Sequence, residues 1–482
     1  MGVDLGIIFF YLAATIALGL KFSGARDLND YFLGSRSVNW VLACFSIVAT
    51  ETSSLSFLSI PGVAYVSGMD FLQISFGYLL GRVLVALILL PRYYEGNLQT
   101  VYEYIQTKFN TLARKIIALL FHVTRVLADA VRLFATAIPL TVLMGWDFRI
   151  SLLIIGGATF IYTFYGGIRS VIVVDALQFF IYLGCVVLGI AIIFHALPFG
   201  ELMGRLNPGD FRVFYWGTEA GRGGVAGSYN VISCLVGGAF LSFASHGTDH
   251  IIVQRVLSCR DLGAARKAMV ASGVIIIIQF FLFLFFGVLI RAFFSSMSFG
   301  SSDEVVPYFI IHHLPTGLRG LVLAGIFASA MSTLSSSINS LSSSTAFDML
   351  NLQHRNITEK KKVGYSRIIT LVWTVTLVGA SILFNNAGKP LVVMGLSIAS
   401  VTYGGIMGIF ILGYRFSHVG STAALAGVVI AIAAVSGIAV SGGVFWLWYT
   451  GIGFAVTVVT ALAVQRLLGK RGGQLPEGGT AG

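Results

Sequence analysis

Charge is what this chain has least of. Only 11% of its 482 residues are Asp, Glu, Lys or Arg, while 56% are apolar and the mean hydropathy is +0.88. Soluble chains carry about a quarter charged residues, so a surface bathed in water on all sides is excluded and lipid is the partner that fits. Cysteine is scarce too: Cys44, Cys185 and Cys234 sit in apolar runs and Cys259 in a basic loop. Without paired spacing they exclude a disulfide framework, and no zinc ligand set accompanies them. The opening MGVDLGIIFFYLAATIALGL lacks the basic n-region and A-x-A site of a signal peptide, so it reads as a retained helix. Residues 471–482 are short and Gly-rich and are expected to form a disordered cytoplasmic tail.

What the chain has instead is long apolar runs. A bilayer core of about 30 Å needs roughly 20 such residues per helix. Thirteen segments qualify, at about 3–20, 40–67, 70–91, 113–143, 150–166, 170–197, 228–247, 267–294, 319–347, 366–384, 390–413, 421–440 and 444–466. They predict an all-α polytopic membrane protein. Lys and Arg stay in cytoplasmic loops, and an external N-terminus with an internal C-terminus puts 21 of the 31 inside, Arg255 among them, and seven outside, including Arg222 and Lys389. The net charge of +11 is thereby a topology signal of an inner (plasma) membrane protein and not a nucleic-acid footprint. Residues 198–227 and 295–318 are expected outside, and 95–110 on the inner membrane surface.

Polar groups at membrane depth need a reason. From Ser329 to Thr345, 11 of 17 residues are Ser or Thr. Close packing through small residues explains part of this, but Ala would pack as well without polar atoms. A hard monovalent cation such as sodium is satisfied by hydroxyl and carbonyl oxygens, which avoids the cost of a full buried charge. Two further segments are interrupted: Thr50, Glu51, Thr52, Ser53 and Ser54 break the run at 46–57, and GGAFLSFASHGTDH does so at 237–250. Irregular backbone at this depth is tolerated only where it lines a cavity. The spacing of about 190 residues fits two five-helix repeats, each opening on a discontinuous helix.

The buried charges balance, with Arg82, Arg125 and Arg132 against Glu51, Asp129 and Asp175. Arg125, Asp129 and Arg132 share one helix face. Either they bridge within that helix, or one arginine is left to grip a solute carboxylate. Asp175 has two roles open to it, plain ion partner or the one full negative charge offered to a cation.

The chain resembles the sodium/solute symporter family, whose members carry sugars, proline, iodide, monocarboxylates and sialic acids with sodium. The resemblance spans roughly 28–415 and rests on LNDYFLGSRSVNW at 28–40, SFLSIPGVAY at 56–65, TVYEYIQTKFN at 100–110, YGGIRSVIVVDALQ at 165–178, HIIVQRVLSCRD at 250–261 and the Ser-rich helix ending in TAFDML. It implies a single transporter domain over 1–470 with a five-plus-five inverted-repeat fold. The repeats fall at about 40–197 and 228–413, with one extra helix before and two after. It also implies uptake of a small polar organic solute by alternating access, with one or two sodium ions. Carried over by position, a first sodium site uses the carbonyls of Ala49, Thr52 and Ser329 and the hydroxyls of Ser332 and Thr333. A second takes Asp175, Ser335 and Ser336.

For the solute, Ser56 and Ser242 stand where sugar-carrying members place Gln and Asn, which disfavours a sugar. Glu51 suits an amino group and Arg132 a carboxylate, so an amino acid or another carboxylate fits better. Ser53, Gln73 and His246 complete the candidate lining. Two rival readings are a proton-coupled or sodium-independent permease or sensor, titrating Glu51 or Asp175, and an enzyme. His122, His195, His246, His312 and His313 form no metal-spaced or nucleophile-paired set, so a transporter and not an enzyme is expected.

Overall fold

The computed structural model describes residues 2–217, 229–295, 297–384 and 391–469, with backbone only for 138–139, 142–144 and 391–397. The expected tail at 471–482, the end of the 198–227 loop with Arg222, and Lys389 lie outside the described residues. Among the described residues the chain is helical, with one isolated bridge between Val38 and Cys259. Helix α1 (Gly2–Leu20) leads to α2 (Trp40–Glu51), α3 (Ser54–Ser67), α4 (Gln73–Ile88), α5 (Thr111–Met144) and α6 (Phe148–Ala196). Then come α7 (Gly238–Gly247), α8 (His250–Leu257), α9 (Leu262–Phe294), α10 (Leu318–Ser344), α11 (Glu359–Leu383), α12 (Leu391–Arg415), α13 (Ser421–Ser441) and α14 (Tyr449–Leu468). Nine helices among the described residues are long and apolar enough to cross a bilayer, ten if the bent pair α2–α3 counts as one span.

Polar residues at loop ends decide where helices begin. Asn39, Asn110, Asp147, Asp249 and Asp261 each accept a backbone N–H of the first turn, opening α2, α5, α6, α8 and α9. Helix α10 is capped from outside its own loop: Asp4 of α1 accepts the N–H of Gly317 at 2.8 Å and of Gly320 at 2.9 Å. A Cβ at Gly320 would lie 2.6 Å from the Asp4 Cα, so only glycine allows this approach.

The 49-residue α6 would reach about 70 Å as one rod, over twice the bilayer core. It is divided at Gly167, whose φ of 57° and ψ of −154° belong to glycine, and where a Cβ would sit 2.4 Å from the Tyr31 carbonyl oxygen. Its arms correspond to the expected segments 150–166 and 170–197. Both runs expected to be interrupted are broken. The α2–α3 pair bends by 67° at Thr52 and Ser53, and α7–α8 breaks at Thr248 and Asp249.

Helix α10 is the axis of the molecule, packed against α6, α1, α11, α5 and α2. Of its most apolar stretch 94% is buried, against 33% for α1 and α13. Lipid tails are as apolar as leucine, so hydroxyl contacts and close packing, more than hydrophobic burial, hold such helices together. Tyr162 donates to the Met331 carbonyl at 3.2 Å and Tyr93 to the Gly247 carbonyl at 2.5 Å.

Candidate functional site

The break after α2 frees oxygen ligands. The carbonyls of a helix's last turn have no intrahelical amide; the Thr52 N–H bond to the Val48 carbonyl is the C-cap bond of α2, and Ala49 comes next in that last turn. The Thr52 hydroxyl accepts from Gln279 Nε2 at 2.7 Å. Across from it, α10 packs on both α2 and α3. There the Thr333 hydroxyl lies 3.2 Å from the Ser329 carbonyl. The Ser332 hydroxyl is turned towards Asp175 at 2.9 Å. Neutral oxygens from two facing helices suit sodium in charge and hardness.

One turn beyond, Asp175 is enclosed. Its Oδ1 accepts from Ser332 and, at 3.4 Å, from Ser335. Its Oδ2 accepts from Ser46 at 2.7 Å and from Arg255 at 2.9 Å. Ser336 is hydrogen-bonded to Arg255 and lies 2.9 Å from the Thr50 hydroxyl. Asp175, Ser335 and Ser336 are therefore together, but a guanidinium stands with them. The expectation that Arg255 is a cytoplasmic-loop cation is corrected: α8 runs on to Leu257 and buries it completely. Arg255 and Asp249 add one charge of each sign to the buried set expected from the sequence.

A cavity of about 110 Å³ lies behind the break. Of the expected lining residues, Glu51, Ser56, Arg132 and His246 face it, along with Arg125, Tyr78, Phe71 and Phe280. Ser53 opens instead onto a separate space of about 10 Å³ shared with Asp129, Thr136 and Thr333. Gln73 donates to the Asp70 carbonyl and accepts from Tyr215 N–H, and Ser242 donates to the Tyr78 carbonyl at 2.8 Å. Both spend their polar groups on backbone away from the cavity.

The charges around the cavity are not equally available. Glu51 is paired with Arg82, and His246 Nε2 lies 3.5 Å from the same carboxylate. Arg125 holds Asp249, whose Oδ2 also accepts from Tyr403 at 2.7 Å. Arg132 reaches Asp129 through one nitrogen at 3.3 Å. Side-chain exposure separates the three arginines, at 0% for Arg82, 4% for Arg125 and 17% for Arg132. Sequence reasoning missed Asp249 and Arg255; the Gly247–Asp249 break signals an Asp N-cap and a helix that continues through Arg255, but not that this arginine is buried.

The chain matches the sodium:solute symporter family over residues 31–431. The sodium/sialic acid symporter NanT of Aliivibrio fischeri is 27% identical over 472 residues, covering 94% of this chain and 90% of that one. The human sodium/iodide cotransporter is 26% identical, covering 88% and 67%. The solved substrate-bound outward-open structure of a Na+-coupled sialic acid symporter superposes with a TM-score of 0.83 at 24% identity, over 96% of this chain and 98% of that one. The fold is thus the inverted-repeat transporter fold, and the chain is an integral membrane symporter, not an enzyme. It couples sodium to the transport of a solute by alternating access, and it belongs to the sodium:solute symporter family.

Proposed function

We propose that the solute is a small organic carboxylate gripped by Arg132. In this reading sodium is held by the carbonyls of Ala49, Thr52 and Ser329 and the hydroxyls of Ser332 and Thr333, with Asp175, Ser335 and Ser336 as a second sodium place. The observation that carries it is the inequality of two charges on one cavity wall. Glu51 is held by Arg82 and His246, whereas Arg132 has one ion-pair partner among the described residues, Asp129, reached through one nitrogen at 3.3 Å. An amine would have to compete with the Arg82 guanidinium for Glu51; a carboxylate can add a second, bidentate partner to Arg132. The mostly apolar remainder, with Ile60, Phe71, Leu241 and Phe280, suits a short hydrocarbon body. The volume is well below the roughly 300 Å³ at which drug-sized pockets begin. The relatives named above are named for sialic acid and iodide, both anions in water, which supports the same sign.

Sodium enters from the side of the N-terminus, which the Lys and Arg distribution sets outside. The membrane potential contributes about 2.3 kcal/mol per charge per 100 mV. Bridging the α2–α3 break to α10, the ion orders the backbone beside Ser56 and Glu51, so sodium and solute favour each other's binding by linkage. The test is uptake into proteoliposomes of labelled monocarboxylates, sialic acid, amino acids and sugars, with and without sodium. Sodium-dependent uptake confined to carboxylates, with KM raised in Arg132→Gln, supports the reading. Uptake of sugars or amines with an unchanged KM in that variant overturns it.

A further inference from the structure

Two of the three groups proposed for the second sodium, Asp175 and Ser336, are held by a single guanidinium. Arg255 Nη2 donates to both, Nε donates to Ser46 at 2.8 Å, and Nη1 donates to the Ile251 carbonyl at 2.5 Å. Arg255 and Asp175 are both fully buried. The pair ties together elements of both interrupted helices with α6 and α10. Arg255 lies on α8, the second half of one interrupted helix; Ser46 and Thr50 lie on α2, the first half of the other; Asp175 lies on the second arm of α6; Ser332, Ser335 and Ser336 lie on α10.

We infer that Arg255 is a tethered cation that competes with sodium for Asp175, and that sodium arriving at this carboxylate releases α8. The inference rests on the proposal that Asp175 receives sodium. Its physical basis is charge. The buried pair is neutral, so adding a sodium ion without moving the guanidinium would leave an uncompensated positive charge in a medium where like charges repel strongly. The ligand sets also overlap in atoms: Asp175 Oδ2 and the Ser336 hydroxyl cannot accept Arg255 and coordinate the ion in the same geometry. Oδ1 is held only by the hydroxyls of Ser332 and Ser335, neutral groups that an ion displaces without separating a charge pair. An ion at Ser332, whose hydroxyl already lies 2.9 Å from Oδ1, meets that oxygen first and then draws the carboxylate away from Arg255. Arg255 is thus a positioning residue, acting through Asp175. It keeps the second place weak enough for sodium to leave, and it makes occupancy there the signal that loosens the second half of the α7–α8 helix.

The experiment is binding of 22Na+ to the purified full chain without solute. Arg255→Gln should tighten sodium binding at the second place by about tenfold, and Arg255→Lys, which keeps a cation at the carboxylate, should stay within about twofold of wild type. The gain must vanish in Arg255→Gln combined with Asp175→Asn, because competition needs the carboxylate. An unchanged or weakened affinity in Arg255→Gln overturns the inference, as does a gain that persists without Asp175 or an equal effect of Lys and Gln. If Asp175→Asn alone leaves sodium binding untouched, the second sodium place itself is at fault. Hydrogen exchange on the wild-type protein needs no variant. Sodium should slow exchange at 329–336 and speed it at 250–257; slowing at both overturns the release.

Discussion

Arg82 of α4 and Glu51, the last residue of α2, form an ion pair against the α2–α3 break, with Arg82 fully buried and also donating to Ser272 at 2.8 Å. The pair gives Glu51 a structural partner beside a cavity that Arg125 and Arg132 also line, Arg132 being held by Asp129 through one nitrogen. Removing one member of a buried pair leaves the other uncompensated and costs about 3–5 kcal/mol. Glu51→Gln should therefore lower Tm clearly, while KM for the carboxylate in the surviving protein stays within about threefold. Thermal melting and uptake kinetics check the two halves separately; a tenfold rise in KM at unchanged Tm would show that Glu51 touches the solute.

The first sodium place predicts a different signature. Thr333→Ala and Ser332→Ala each remove one oxygen and should raise the sodium concentration for half-maximal uptake by about tenfold. The maximal rate at saturating sodium should change much less. Unchanged sodium activation in both variants contradicts the assignment.

Charge movement reports on Asp175. Asp175→Asn removes the full negative charge of the second place, and the charge-to-solute ratio measured in proteoliposomes should fall by one. A ratio equal to wild type means the carboxylate only anchors Arg255.

The α1–α10 contact predicts a loss of stability without a change in ion affinity. Asp4→Ala leaves the Gly317 and Gly320 amides without their cap and should cost about 0.5–2 kcal/mol. Gly167→Ala meets both an unfavourable φ and the Tyr31 carbonyl and should cost about 1–3 kcal/mol. Melting temperatures check both, and half-saturation by sodium should stay within about twofold of wild type.

Much of this architecture was legible because apolar length and Ser/Thr density are local signals. The run from Ser329 to Thr345 announced α10, and Thr50 to Ser54 announced the break. Pairing was not legible, because it is set by helices far apart in sequence. Asp175 and Arg255 are 80 positions apart, and nothing in HIIVQR distinguishes a buried arginine from one snorkelling to the inner surface. Gln73 and Ser242 face the same difficulty: a polar residue on a buried helix can point into the cavity or satisfy a neighbour's backbone, and only packing decides. Glu51 and Arg132 were both visible as candidates, but which charge was already neutralised depended on Arg82 and His246 arriving from other helices.

The most direct test is carboxylate binding to the purified protein, measured with and without sodium in the wild type and in Thr333→Ala. The account predicts that sodium raises carboxylate affinity in the wild type and that Thr333→Ala shifts this rise to higher sodium. Carboxylate affinity that is independent of sodium in the wild type would contradict it.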